Sequence, residues 1–415
     1  MFGTPARSRL LPMSVPFRYF GAAVAFQVAA WALLVSCAGD LPAFEGGLGP
    51  VFASLHLVTL GVVAMTAIGA TLQLLPVATR QPVRSVAAAK AVWWLLVPGI
   101  AILSAGAAAY APRWMAPGAV LAAFALAIYA WLLAANLRAA RGMKVVVAHG
   151  WAAVACLALL LASGLALVAH FEHGLALDHM LVRRVHLVLA TYGFMGFLAL
   201  GLSQFLLPMF AVAPPPEPRW AYAWLAMAVA GMLLALVGLA IPAVLAGLAA
   251  VALHVFAMER SLRARLRPML DPAFLLIRIS WLCLASSLVL AGFIAAGSAP
   301  PNAAALFGLL LVPGWLLTFL LGVLQRIVPF LASVHSRASL ASALTPAMPL
   351  AVHRVLHLCA LAFLVPAVAF DVRPLAEAGA ALGFAGAAAF AAFYVQVLWR
   401  RHKLALQPPD QPATA

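Results

Sequence analysis

Residues 56–76 read His-Leu-Val-Thr-Leu-Gly-Val-Val-Ala-Met-Thr-Ala-Ile-Gly-Ala-Thr-Leu-Gln-Leu-Leu-Pro, an apolar stretch punctuated by Gly61, Gly69 and Pro76. The same frame, Gly-x7-Gly-x6-Pro, returns without a gap as Gly193, Gly201, Pro208 and as Gly314, Gly322, Pro329. A glutamine stands shortly before each proline: Gln73, Gln204 and Gln325. One copy means little in a chain with 29 Gly and 29 Pro, but three copies at intervals of about 120 to 130 residues mark an internal repeat. Lipid supplies no hydrophobic drive for helices to associate, so glycines that let backbones approach are a packing device. Each proline is expected to end or kink its helix.

The composition sets these helices in a membrane. Of 415 residues, 66% are hydrophobic and 8% charged, with a mean hydropathy of +1.09. No water-soluble surface can be assembled from so few polar side chains. A single anchor on a soluble domain is excluded by the spread of apolar residues, and an outer-membrane barrel by the absence of about ten-residue alternation. Segments of roughly 20 apolar residues fall at 19–38, 49–78, 86–108, 114–137, 145–169, 180–212, 220–238, 239–258, 273–297, 303–331, 349–370 and 375–399. The fold class is therefore all-α: a polytopic membrane protein of twelve transmembrane helices in one domain spanning 1–415. The division near Ile241 and Pro242 leaves almost no loop. With the glycine frame always on the second helix of four, the arrangement reads as three four-helix arcs with pseudo-threefold symmetry, over about 18–144, 145–265 and 273–403.

The formal net charge of +15 tests this count. With the N-terminus inside, every Lys and Arg from Arg7 and Arg9 through Arg337 to Lys403 falls on the cytoplasmic side except Arg113, Arg183, Arg184 and Arg373. Six of the ten acids fall outside: Asp40, Glu45, Glu172, Asp178, Asp371 and Glu377. Cations retained on the cytoplasmic side orient a membrane protein, so the basic balance calls for no nucleic acid. The basic N-terminus and Leu34-Val35-Ser36-Cys37 resemble a leader with a lipoprotein cleavage box; an uncleaved first helix is expected, because cleavage leaves an odd number of spans. Cys37, Cys156, Cys283 and Cys359 lie in four different helices without metal or disulfide spacing and read as small buried hydrophobes.

Histidines inside a bilayer are functional candidates. His56 and His186 stand at one depth on the second and sixth helices, five and seven residues before their frame's first glycine, and each opens a His-Leu-Val triplet. Two imidazoles so placed suit the axial ligation of one haem, or a metal site. His170, His173 and His179 lie near the same outer surface. His353 and His357 form an i, i+4 pair able to grip one metal, on the side that also carries His149, His254 and His335. Arg183, Arg184 and Arg373 could receive haem propionates. Headgroup anchoring and neutralisation of Glu172, Asp178 and Asp371 are the alternative. Met65 and Met195 are read as core packing, although either thioether could reach a haem iron.

Twelve helices in three arcs, with His56, Gly61, Met65 and Gly69 followed by Leu74-Leu75-Pro76, resemble subunit I of the haem-copper oxidase superfamily. The segment from His56 to Pro76 is similar to the second helix of its cbb3-type and nitric-oxide-reductase branches. The resemblance implies that His56 ligates a b-type haem, with copper as a further cofactor. The sequence departs from that family at the tenth helix, where the outer half reads Leu306-Phe307-Gly308-Leu309-Leu310-Leu311 without a His-x-His pair. Residues 220–238 also lack the copper-ligating histidines, and no acid lies deep in any span. In this the chain is similar to the NnrS type, divergent twelve-helix haem and copper membrane proteins of the bacterial nitric-oxide response.

The expectation is a bacterial inner-membrane haem protein that handles or senses a diatomic such as nitric oxide, or passes electrons, without a complete dinuclear centre. The alternatives are a factor moving haem or copper to a respiratory oxidase, with histidines on both faces as a relay, and a membrane partner without cofactor.

Overall fold

A computed structural model describes residues 9–336 and 341–406; Arg7 and Arg337 lie outside the described residues. It is all-helical, and among the described residues twelve helices are long and apolar enough to cross a membrane. They are α1 (Ser14–Ser36), α2 (Pro50–Thr79), α3 (Val86–Ala108), α4 (Pro112–Arg138), α5 (Lys144–His173) and α6 (His179–Ala211). The second half comprises α7 (Pro218–Leu236), α8 (Ala240–Arg263), α9 (Ala273–Ala295), α10 (Ala303–Val334), α11 (Ala347–Ala369) and α12 (Arg373–Leu406). The division between α7 and α8 falls at residues 237–239, slightly before Ile241 and Pro242. Gly238, at φ +87°, makes the turn, and Pro242 fits the first turn of α8, where a missing N–H leaves no hydrogen bond unmade.

Neighbours along the chain pack as α1 with α2, α3 with α4, α5 with α6, α7 with α8, α9 with α10 and α11 with α12. The groups are joined by α4 against α5, α8 against α9 and α12 back against α1. The Tyr394 hydroxyl of α12 donates to Phe17 O of α1 at 2.6 Å, so α12 meets the start of α1 at one end of the bundle, here called the terminal side. The frame-bearing helices α2, α6 and α10 have two thirds of their most apolar window buried, more than any other helix.

The three glycine frames pack alike. A Cβ on Gly61 would meet Phe26 Cβ of α1 at 2.7 Å, one on Gly193 would meet Cys156 Sγ of α5 at 2.8 Å, and one on Gly314 would meet Cys283 of α9 at 3.1 Å. Seven residues earlier on the same helices, Tyr19 lies against Gly69, His149 against Gly201 and Leu276 against Gly322. Seven residues make two helical turns. The second glycine, eight residues beyond the first on the antiparallel neighbour, meets the same stripe one step further down.

Each of these helices also carries a π-helical segment on the side away from the termini: Leu57–Ala64, Leu189–Met195 and Leu310–Leu317. The one in α10 touches both others. Pro313 O accepts both the backbone N–H of Thr318, five residues on, and its Oγ1 proton at 2.8 Å.

The prolines do not end their helices. α2 and α6 continue three residues past Pro76 and Pro208 and close on Arg80 and Val212, both left-handed at φ 59° and 54°. The next amides, of Gln81 and Ala213, donate back to Pro76 O (3.1 Å) and Pro208 O (2.9 Å), a Schellman-type closure. The repeated glutamines are buried and partnered differently: Gln73 Nε2 lies 3.2 Å from His335 Nε2, Gln204 donates to Leu200 O, and Gln325 Oε1 accepts from Arg354 at 3.2 Å.

Close backbone approach predicts a contrast between two glycines. A Cβ on Gly118 of α4 would overlap the backbone of Leu103 in α3, whereas one on Gly308 meets nothing within 4 Å. Gly118→Ala is expected to cost about 1–3 kcal/mol through overpacking. Gly308→Ala should be neutral, or stabilising by up to about 1 kcal/mol. Unfolding in a mild detergent, followed by circular dichroism, separates the two.

Candidate functional site

His56 ends the first α-helical part of α2, immediately before the π-helical segment. Its ring lies 4.1 Å, centroid to centroid, from Phe52, and its Nδ1–H donates to Phe52 O at 3.1 Å. A carbonyl only accepts, so the proton is on Nδ1 and the lone pair on Nε2. His186, three residues before the π-helical segment of α6, is seated by α5. Ser163 Oγ, whose own proton goes to Leu160 O at 2.9 Å, lies 3.3 Å from His186 Nδ1 and therefore accepts from it. His186 thus carries its lone pair on Nε2 as well. Gly164 completes the seat, since a Cβ there would lie 3.2 Å from His186 Cε1. In metal-binding histidines the second nitrogen is held by such an outer partner, which fixes the tautomer and the plane of the ring.

Both rings line one cavity of about 1050 Å³. Its wall is mainly apolar and includes Trp31, Phe52, Met195 and Trp315. Large apolar pockets with a few convergent polar groups are the usual form of a cofactor site. The cavity also reaches His179, Arg183 and Arg184. Arg183 Nη1 donates to Glu45 O at 2.9 Å. Among the described residues neither arginine is ion-paired, so both can receive an anionic group.

The other expected residues divide from these. Arg373 lies apart, with its Nε donating to Glu377 Oε1 at 2.8 Å, and is not part of the cavity wall. Its ion-pair partner is Glu377, which is not among the acids Glu172, Asp178 and Asp371 named for it in the alternative reading. Met65 is fully buried away from the cavity, whereas Met195 is on its wall. His353 and His357 stack at 5.6 Å, centroid to centroid, and are fully buried. His353 Nδ1–H donates to Gly386 O at 2.9 Å. Thr318 has given its proton to Pro313 O, so His357 Nε2–H donates to Thr318 Oγ1 at 2.8 Å. The i, i+4 spacing is present, but one nitrogen of each ring is engaged in tying α11 to α10 and α12. Among the described residues no group of three or more His, Cys, Asp or Glu is arranged to hold a metal ion.

Three participants carry little sequence signal on their own. Ser163 and Gly164 are small residues in an apolar helix, and their role follows only from the packing of α5 against α6. His179, read as one histidine of an outer loop, is the first residue of α6 and reaches the cavity. Its ring lies 5.0 Å from His170.

Compared with protein-family models and with curated proteins, the chain matches none.

The His357 contact makes a prediction that separates its two readings. As a structural donor, His357→Leu should lower stability by about 1–3 kcal/mol, and added zinc or copper should not shift the melting temperature of the wild-type protein through this pair. A metal-induced rise in melting temperature that His357→Leu abolishes would restore the metal-binding reading.

Proposed function

We propose that the chain is a haem protein of the bacterial inner membrane, multi-pass with both termini cytoplasmic, that binds a b-type haem in the cavity between His56 and His186. The observation that carries this reading is the pair of Nε2 lone pairs on one cavity, each set by an outer hydrogen bond, from Phe52 O and from Ser163. The residues fit the group: two neutral imidazoles, an apolar wall for the macrocycle, and Arg183 and Arg184 for the propionates. Bound there, haem would supply iron for diatomic binding or one-electron transfer. This chain's own part is to orient the two imidazoles, to cover the macrocycle with Trp31, Phe52 and Trp315, and to hold the propionates.

The architecture supports the same reading. Three glycine frames packed alike, three π-helical segments facing one another and a closed ring of neighbours suit three four-helix arcs about a pseudo-threefold axis, the plan of haem-copper oxidase subunit I. The outer part of α10 and the whole of α7 hold no histidine, so a second metal centre of the oxidase kind has no ligands there. The reading is therefore one of sensing or handling nitric oxide or another diatomic, or of passing electrons, in the manner of the NnrS type.

Protein purified in detergent should show a Soret band that shifts on reduction and on addition of nitric oxide. His56→Ala and His186→Ala should each remove or shift it. Absence of the band after haem reconstitution, or a spectrum unchanged in both variants, would falsify the assignment. Ser163→Ala, which frees His186 Nδ1, should weaken haem retention by about 10–100-fold, read as the rate of haem loss to apomyoglobin.

A further inference from the structure

Every seventh residue on one face of α5 has a side chain that can ligate or hold a proton: His149, Cys156, Ser163 and His170. Two turns separate consecutive members, so they stand roughly 10 Å apart along the helix axis. Each meets a partner on a neighbouring helix. His170 lies beside His179, and Ser163 holds His186. Cys156 Sγ is 3.4 Å from Met232 Sδ of α7. The His149 ring is 4.3 Å from Trp224 of α7, which is 5.0 Å from His254 of α8. The haem cavity runs along this column, because His179, His186, Met232 and Trp224 all lie on its wall.

The lower part of the column holds nitrogens that packing does not explain. His149 and His254 are 1% and 2% exposed. His149 Nδ1–H donates to Val145 O at 2.8 Å, which leaves the lone pair on Nε2, and that atom has no hydrogen-bond partner. Neither ring nitrogen of His254 has one, and both rings pack against Trp224. A buried cysteine is ordinary; three unpartnered imidazole nitrogens at this depth are costly and point to a ligand.

The donor set defines that ligand. Thiol, thioether and imidazole are soft or intermediate donors, and a Cys with a Met selects copper(I) over hard cations, which require oxygen. All these donors are neutral, and the ten acids of the chain lie at helix ends, in loops or in the C-terminal tail. A divalent ion would bring two uncompensated charges into an apolar interior, whereas a monovalent ion brings one and gains from the Trp224 face.

We propose that this face of α5 is a route for a soft monovalent cation, copper(I) in its chemistry, with the Cys156 and Met232 sulfurs as the central site and His149 and His254 as the site on the terminal side. Its central and terminal-side sites use residues other than His56 and His186, and the proposal holds with or without haem.

Silver(I), which is monovalent, soft and redox-inert under these conditions, is the probe. Proteoliposomes carrying the wild-type chain should accumulate it faster than protein-free liposomes. Met232→Leu keeps the side-chain volume and loses the sulfur, and Cys156→Ser keeps the size; each should reduce uptake about tenfold, while Met232→Cys should retain it. A purely structural role for Met232 would not distinguish Leu from Cys in that direction. Wild-type uptake equal to that of empty liposomes, or unchanged in Met232→Leu and Cys156→Ser, overturns the proposal. The Soret band of the same samples reports the haem site separately, so failure of one reading is distinguishable from failure of the other.

Discussion

α1, α5 and α9 lie against the glycines of α2, α6 and α10, and this contact fixes the distances on which the rest of the bundle depends. Helices in lipid gain nothing by hiding apolar surface from water, so they associate through close van der Waals packing and interhelical hydrogen bonds. With only hydrogen at Gly193 and Gly201, α5 approaches α6 until Cys156 and His149 touch its backbone. The same approach, continued two turns further from the terminal side, brings Ser163 and Gly164 against His186. The packing contact and the seating of His186 are therefore one event. A side chain added at Gly193 or Gly201 would act on His186 at a distance by separating the two helices.

The interior handles its polar groups without carboxylates. Three interior histidines give their Nδ1–H to a backbone carbonyl: His56 to Phe52 O, His149 to Val145 O and His353 to Gly386 O. His186 and His357 use hydroxyls that have already donated to carbonyls, of Leu160 and Pro313. Such neutral pairing avoids the cost of a buried charge. It also fixes which nitrogen of each ring remains available, a condition that ligand chemistry needs and that an ion pair would not preserve.

How much of this was readable from the residues follows from the range of each signal. The glycine frames and the hydropathy of the spans are properties of one segment, and both the twelve helices and the like packing of the three frames follow from them. His56 and His186 were placed at one depth by counting from those glycines, and they line one cavity. The fate of His353 and His357 was not readable, because their i, i+4 spacing says nothing of Thr318 and Gly386, which belong to other helices. Arg373 has the charge of a propionate partner, but it pairs with Glu377, one turn on, and is not on the cavity wall. Each frame proline was expected to end or kink its helix; α2 and α6 run on three residues past Pro76 and Pro208 and end at the left-handed closures of Arg80 and Val212. The π-helical segments leave no mark in hydropathy, since one extra residue per turn changes no composition.

Those segments have a consequence for how such a bundle can change. An added residue in a helical turn rotates all that follows by about 100°. In α2 and α6 the segment stands between the histidine-bearing part and the second glycine and proline that lock the helix to its neighbours. The segment therefore sets the angle at which His56 and His186 stand relative to Gly69 and Gly201. Side chains on one side of such a segment can be re-aimed by gain or loss of a single residue while the other side keeps its packing, so the cavity wall can change and the bundle remain the same.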